Sequence, residues 1–335
     1  MPLSDLLLFN GAPIAEPSGW SKKREAIRTT FQDLLGEGVT EAPPLDARVH
    51  EEVDCGTYVR RRVSFASERD DRVTAFLCVP HGLKSPQAAV LILHGTTAAA
   101  KDASAGLDRT QKHYGMAPAL AERGFITLAP DHFCAGERLG PGQKPYDTGP
   151  LYERHPRWSA MGKAIWDQQR CVDYLLGIPE VAGDRIGVIG HSLGGHSAVF
   201  FAAMDERVKA CVSSCGVTAW NLDPNRLNWS RNKPGQYVYF PKLRAFWESG
   251  RNAPLDFHEV FSLIAPRACL NISAVGNDSC FPVFEPFAEL YVQVERVYKL
   301  LRAEGQFACY FHSEAHSFNR SPRELAYAWM AEKLA

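Results

Sequence analysis

The chain has 335 residues, of which 45% are hydrophobic and 22% charged, an ordinary globular composition with room for a substantial core. Its formal net charge of −1 disfavours a nucleic-acid partner, and the short basic runs at 22–24 and 60–62 read as solvated faces. Nine cysteines at scattered spacings, with no C-x-x-C pair, argue against a disulfide framework or a zinc ribbon. The apolar run Leu6 to Phe9 is too short for the core of a signal peptide. No segment approaches the roughly 18 apolar residues of a membrane span. The expectation is a soluble, cytoplasmic protein with no membrane partner.

Residues 1–50 read as a helical N-terminal extension. Trp20, Ile27, Phe31, Leu34 and Leu35 recur at helical spacing and stop at Gly36, and Pro43-Pro44 breaks the pattern. Such an extension can pack on its own domain or on a second copy, so a homo-oligomer stays open. "TYVRRRVSF" (57–65) and "RVTAFLCV" (72–79) follow as an antiparallel hairpin. The character then changes to continuous apolar runs: "AAVLILHG" (88–95), "GFITLAPD" (124–131), "RIGVIGHS" (185–192), "VKACVSSCG" (208–216) and "ACLNISAVG" (268–276). Such runs suit strands covered on both faces. Between and after them lie helical patterns, one N-capped at Ser159, one over 284–305 and one over 321–335. The alternation predicts an α/β protein with a doubly wound, mostly parallel sheet, organised as a single domain over 1–335. Two segments fall outside it, 132–158 and 217–265. Each follows the C-terminal end of a strand, where open α/β sheets bind ligands, and each is expected to lie over the active site.

"GHSLG", residues 190–194, is a G-x-S-x-G with a strand before it and a helix after it. A sharp strand-to-helix turn strains the serine backbone and presents its hydroxyl, and the flanking positions admit only glycine with ease. Ser192 is the expected nucleophile, and the Leu193 N–H, at the start of the helix, an expected oxyanion donor. A serine needs a base oriented by an acid, in the chain order Ser, Asp or Glu, His. His316, in the loop before the last helix, is chosen over His312, which adjoins a strand end, and over His258. His196, one helical turn after the serine, is expected to face away. Asp278, in the loop after "ACLNIS", is the expected acid, ahead of Asp223, Asp256 and Glu285. Thr96, after the "LILHG" strand, is the expected second oxyanion donor, with Thr97 close behind. His312 and His316 do not form H-E-x-x-H, so no metal is expected. His191, Arg138, Trp220 and Tyr239 are candidate substrate-binding residues. An ion pair is the alternative for Arg138, and a hydrophobic cluster for the aromatics of 217–265. Arg226, Arg231, Arg244 and Arg251 leave an anionic substrate open.

Ser192, the "LILHG" turn, Asp278 and His316 together resemble the α/β-hydrolase superfamily. More narrowly, "PDHFCAGERL" (130–139), "GHSLGGHSAVFFAAMDERVKA" (190–210), "IAPRACLNISAVGND" (264–278) and "EAHSF" (314–318) resemble the dienelactone-hydrolase-like branch that includes proteins called acetyl xylan esterases. The resemblance implies hydrolysis of a small-molecule carboxylic ester, of acetyl type, without a cofactor. Two departures bear on the substrate. Dienelactone hydrolases proper use a cysteine nucleophile, and glucuronoyl esterases carry an arginine just after the nucleophile, where this chain has Leu193. A peptidase or amidase, or a non-catalytic binder of the same fold, are the alternatives.

Overall fold

A computed structural model describes residues 3–108, 110, 115–281 and 285–335. A two-residue hairpin of β1 (Leu8–Phe9) and β2 (Ala12–Pro13) opens the chain, and the helix Pro17–Leu35 follows. It ends at Gly36, whose φ of 81° and whose approach to the Arg157 carbonyl leave no room for a Cβ. The main sheet has nine strands: β3 (Arg48–Asp54), β4 (Tyr58–Glu68), β5 (Asp71–Pro80), β6 (Gln87–Leu93), β7 (Ile126–Pro130), β8 (Val181–His191), β9 (Val208–Ser214), β10 (Ala268–Ala274) and β11 (Phe307–His312). Their order is β11-β10-β9-β8-β6-β7-β5-β4-β3.

The six strands from β11 to β7 run parallel, and β5, β4 and β3 add antiparallel. The expected hairpin is β4–β5. β3 lay at the edge of the segment read as a helical extension. Its residues are almost all exposed, so no apolar pattern marked it.

The parallel strands are apolar throughout because both faces are covered. One face packs against the helices Pro17–Leu35, Ala160–Leu176 and Leu193–Met204, and the other against Met116–Ala121 and Arg320–Lys333. The helix Ala160–Leu176 starts where expected, with Ser159 Oγ accepting from the Gly162 N–H at 2.9 Å. The helix expected over 284–305 runs Glu285–Leu300, residue 284 lying outside the described residues. The 217–265 segment folds into the helices Leu243–Glu248 and Phe257–Ser262 with long connections. All nine cysteines are free thiols. Among the described residues, no helix is long and apolar enough to cross a membrane.

Candidate active site

Strand β8 delivers Ser192 at its C-terminal end, and the helix Leu193–Met204 leaves directly from it. Ser192 has φ 56° and ψ −119°, a conformation that costs an L-residue energy and is held by its surroundings. The glycines explain the spacing of the motif. A Cβ on Gly190 would lie 2.2 Å from the Gly194 carbonyl oxygen, and one on Gly194 would lie 2.0 Å from the Leu93 carbonyl oxygen. The serine turn is therefore pressed against its own helix and against the end of β6, and only glycine fits.

His316 and Asp278 arrive from the loops after β11 and β10. His316 Nε2 lies 2.9 Å from Ser192 Oγ, and His316 Nδ1 lies 3.0 Å from both Asp278 oxygens. Asp278 Oδ1 also accepts the N–H groups of Cys280 and Phe281, at 2.8 and 3.1 Å. Two backbone donors and an imidazole hold this buried carboxylate below its ordinary pKa, against the opposing effect of burial. For His316, burial favours the neutral ring, but the Asp278 carboxylate and then the Cys280 thiol outweigh it and raise the pKa to about 9. The resting imidazole is thus a proton holder at neutral pH, and Nδ1 is fixed on the acid while Nε2 faces the serine.

The turn after β6 is held by side chains that the sequence did not single out. His94 Nδ1 donates to the Gly95 carbonyl at 2.8 Å, and its Nε2 accepts the His132 N–H at 3.0 Å. Tyr146 Oη accepts the Thr97 N–H at 2.9 Å and donates to the Thr97 carbonyl at 2.7 Å. Thr97 is thereby taken, and Thr96 is the residue of this turn that borders the cleft above Ser192. Leu193 is buried in the core, so its backbone is its only route to the site.

Ser192 and His316 open into a cleft of about 760 Å³. Its walls come largely from the two expected segments: Tyr146 from the first, and Trp229, Arg231, Gln236 and Tyr239 from the second. Tyr239 is thus where a substrate-contacting residue was expected. His196 also borders the cleft, against the expectation that it faces away. The serine at the helix start points its hydroxyl over the first turn, and the fourth residue on shares that side. His196 is buried, and burial followed by the nearby His316 depresses its pKa to about 3, so the ring is neutral.

Three candidates are corrected. Arg138 is buried in an ion cluster, with Nη1 2.8 Å from Asp167 and Nη2 bound to Asp71. Lys163 joins the same carboxylates and Glu68, and the Arg138 side chain is enclosed there and does not border the cleft that holds Ser192. Trp220 is fully buried and packs on Phe200, Phe240, Phe257 and Trp229 beneath the cleft wall. His191 is buried under the site: its Nδ1 lies 3.1 Å from Ser214 Oγ, and its ring lies 5.0 Å from the ring of His316 and stacks on Phe318. It supports the histidine from below and does not line the cleft. His312 is buried with Nδ1 accepting the Glu314 N–H at 3.2 Å, and His258 binds Ser4, so neither competes with His316.

Among the described residues, Cys215, Asp278 and His316 form one group whose possible metal-ligand atoms lie within 4.8 Å of one another. Burial pushes the Cys215 thiol up to about 12, so it stays protonated, and Asp278 occupies His316 Nδ1. The donor set fits an acid–base pair better than a cation.

Residues 118–299 match the model of the family described as Glucuronyl esterase, fungi. YtaP of Bacillus subtilis (strain 168) is 32% identical over 158 residues, 47% of this chain and 48% of that protein. Acetyl esterase Axe7A of Xylanibacter ruminicola is 25% identical over 114 residues, 34% of this chain and 25% of that protein. The chain therefore spans half or less of the length of these two relatives. Among solved structures, a glucuronoyl esterase from Solibacter usitatus superposes with a TM-score of 0.78 at 16% identity, over 100% of this chain and 98% of that one. Leu193, the residue after the serine, is buried and does not border the cleft. With the family match covering more than half of its length, this chain belongs to the glucuronyl esterase family, carboxylic ester hydrolases with the α/β-hydrolase fold.

Proposed function

We propose that the protein hydrolyses a carboxylic ester in which a carbohydrate is one of the two partners, through an acyl-enzyme on Ser192. The observation that carries this reading is the 2.9 Å contact of His316 Nε2 with Ser192 Oγ at the floor of a cleft of about 760 Å³. That volume lies within the range of small-molecule sites. Aromatic faces from Trp229 and Tyr239 and amides from Asn225, Asn228 and Gln236 border it, a lining suited to sugar rings and hydroxyls.

In the proposed reaction, His316 in its neutral form takes the Ser192 proton as Oγ attacks the ester carbonyl. The Leu193 and Thr96 N–H groups face the oxyanion. The tetrahedral intermediate collapses, His316 returns the proton to the leaving alcohol, and the acyl group stays on Oγ. Water then attacks that ester with the same proton transfers and releases the acid. Asp278 keeps Nδ1 protonated and stabilises the imidazolium.

Two ester types meet this description. In an acetylated carbohydrate the sugar is the alcohol and the acyl group is small. In a uronic acid ester the sugar is the acyl part. The cleft volume beside the serine and the family match favour the second. Initial rates on acetylated xylo-oligosaccharides, methyl and benzyl glucuronate, and p-nitrophenyl acetate to octanoate, with wild type and Ser192→Ala together, test both. Ser192-dependent turnover of glucuronate esters above the simple esters is the expected result. A preference for acetylated sugars would select the first type, and Ser192-independent or absent turnover on every ester would remove the proposal.

A further inference from the structure

The 217–265 segment contributes four arginines of interest, and their fates differ. Arg244 Nη1 donates to the Ser230 carbonyl at 2.9 Å, and its Nε lies 2.8 Å from Glu248. Arg251 donates to Ser249 Oγ at 2.9 Å and covers the ring of Phe246 at 5.0 Å. Arg226 donates to the Asn221 carbonyl at 3.3 Å and is the arginine that acts on the buried Asp223. Each is committed to the fold of the segment. Arg231 is different. It follows the short 3-10 helix Arg226–Ser230, is half-buried, and borders the cleft that holds Ser192.

Among the described residues, no carboxylate or carbonyl is hydrogen-bonded to the Arg231 guanidinium. None of the residues outside the described set is acidic. Its positive charge is felt across the cleft wall: burial raises the Tyr239 phenol to about 12, and Arg231 acts against that rise. The other cation at the cleft floor, His316, is already paired with Asp278. Asp223 borders the same cleft, but its Oδ1 accepts the Asn225 N–H at 2.7 Å and its Oδ2 the Thr218 hydroxyl at 3.4 Å, so it serves its own loop and is not paired with Arg231. A guanidinium that always carries its charge, held in a substrate cleft without an ion-pair partner, is a receptor for an anion. A single guanidinium, with the amides of Asn228 and Gln236 on the same cleft wall, matches a single carboxylate. A dianionic phosphate would call for more than one cation.

Resting on the ester-hydrolase reading of Ser192, we infer that Arg231 determines specificity by binding a free carboxylate of the substrate, separate from the ester being cleaved. The preferred substrate is therefore a half-ester or an acidic carbohydrate bearing at least one unesterified acid group.

The test uses two pairs of esters that differ only in charge. 4-Acetoxybenzoate against 4-acetoxybenzamide places the anion on the alcohol part, and mono-4-nitrophenyl glutarate against 4-nitrophenyl pentanoate places it on the acyl part. In wild type, kcat/KM is expected to favour the anionic member of at least one pair by about tenfold to a hundredfold, the scale of a charge-assisted hydrogen bond. Arg231→Gln is expected to collapse that ratio, and Arg231→Lys to keep part of it, because a lysine supplies charge without the fork. Calorimetric titration with glutaramate, the monoanionic half-amide of glutaric acid, reads the same site without turnover, and Arg231→Gln is expected to weaken binding at least tenfold. No anionic advantage in either pair, an advantage that survives Arg231→Gln, or glutaramate binding indifferent to the substitution would each overturn the inference. Loss of all ester turnover with Arg231-dependent glutaramate binding would instead count against the ester-hydrolase reading and leave the carboxylate site standing.

Discussion

Two clusters of acid and base lie at the C-terminal ends of the sheet strands, and they are built on opposite plans. In the first, Arg138 and Lys163 are enclosed by Asp71, Asp167 and Glu68, with Ser67 bound to Asp167. The cations are buried and each is directed to two or more oxygens. Such a cluster can only hold things together: it ties the β4–β5 turn to the helix Ala160–Leu176 and to the 132–158 segment. In the second, Asp278 is equally buried and equally satisfied, but its partner His316 offers only one nitrogen to it. The other nitrogen faces Ser192 and an open cleft. The difference teaches that burial of charge does not mark an active site. A chain of hydrogen bonds that ends at a reactive group in contact with space does.

The sharpest way to break the comparison is to cut each cluster at its centre. Ser192→Ala is expected to lower ester kcat by at least about 10⁴-fold while leaving the thermal midpoint near that of wild type, read by p-nitrophenyl ester assay and calorimetry. Asp278→Asn is expected to cost about 10³- to 10⁴-fold in kcat, because the tautomer and the imidazolium lose their partner. Lys163→Met should do the opposite. It leaves buried carboxylates short of a cation and is expected to destabilise the fold by about 3–5 kcal/mol in urea unfolding. The fraction that remains folded should still label at Ser192 with a fluorophosphonate. If Lys163→Met instead abolishes labelling in folded protein, the two clusters are coupled and the contrast fails.

A smaller effect is expected at the turn beside the serine. Tyr146→Phe removes the hydroxyl that joins the two ends of Thr97 and should lower kcat about tenfold with little change in KM, since the turn that carries Thr96 loosens. An unchanged kcat would show that the turn is held by His94 alone. The mildest test is pH. His316 must be neutral to accept the serine proton, and its pKa is raised to about 9. kcat/KM should therefore rise with pH and level off near pH 9. Asp278→Asn, by removing what stabilises the imidazolium, should move that limb to lower pH. A limb that stays in place in the variant would mean that another group titrates.

The mostly parallel sheet and the meeting of Ser192, His316 and Asp278 were legible because local rules decide them. Gly190 and Gly194 are the only residue type that fits under neighbouring carbonyls, and that demand shows in the spacing itself. Apolar runs of strand length mark the covered strands, and loops after their ends narrow the acid and the base to a few positions. β3 escaped notice because an exposed edge strand has no buried face to pattern it. His196 was misjudged because its orientation depends on how the serine turn is set upon the sheet. Arg138 and Trp220 were read as pocket residues because they lie in segments that do border the cleft, yet each turns the other way. The loop side chains had no period to follow.

The sequence by itself determined the chemistry: a strained serine between a strand and a helix, with an acid and a histidine placed after later strands. Tertiary structure decided what that chemistry can meet. It buried Arg138 among carboxylates that lie far away in the chain, turned Trp220 into the core and left Arg231 on the wall of the cleft that holds the serine. The physical reason is that backbone sterics act between neighbours and leave their mark in short motifs. The direction of a loop side chain is instead set by whichever partners, from anywhere in the chain, satisfy its charge or exclude it from water.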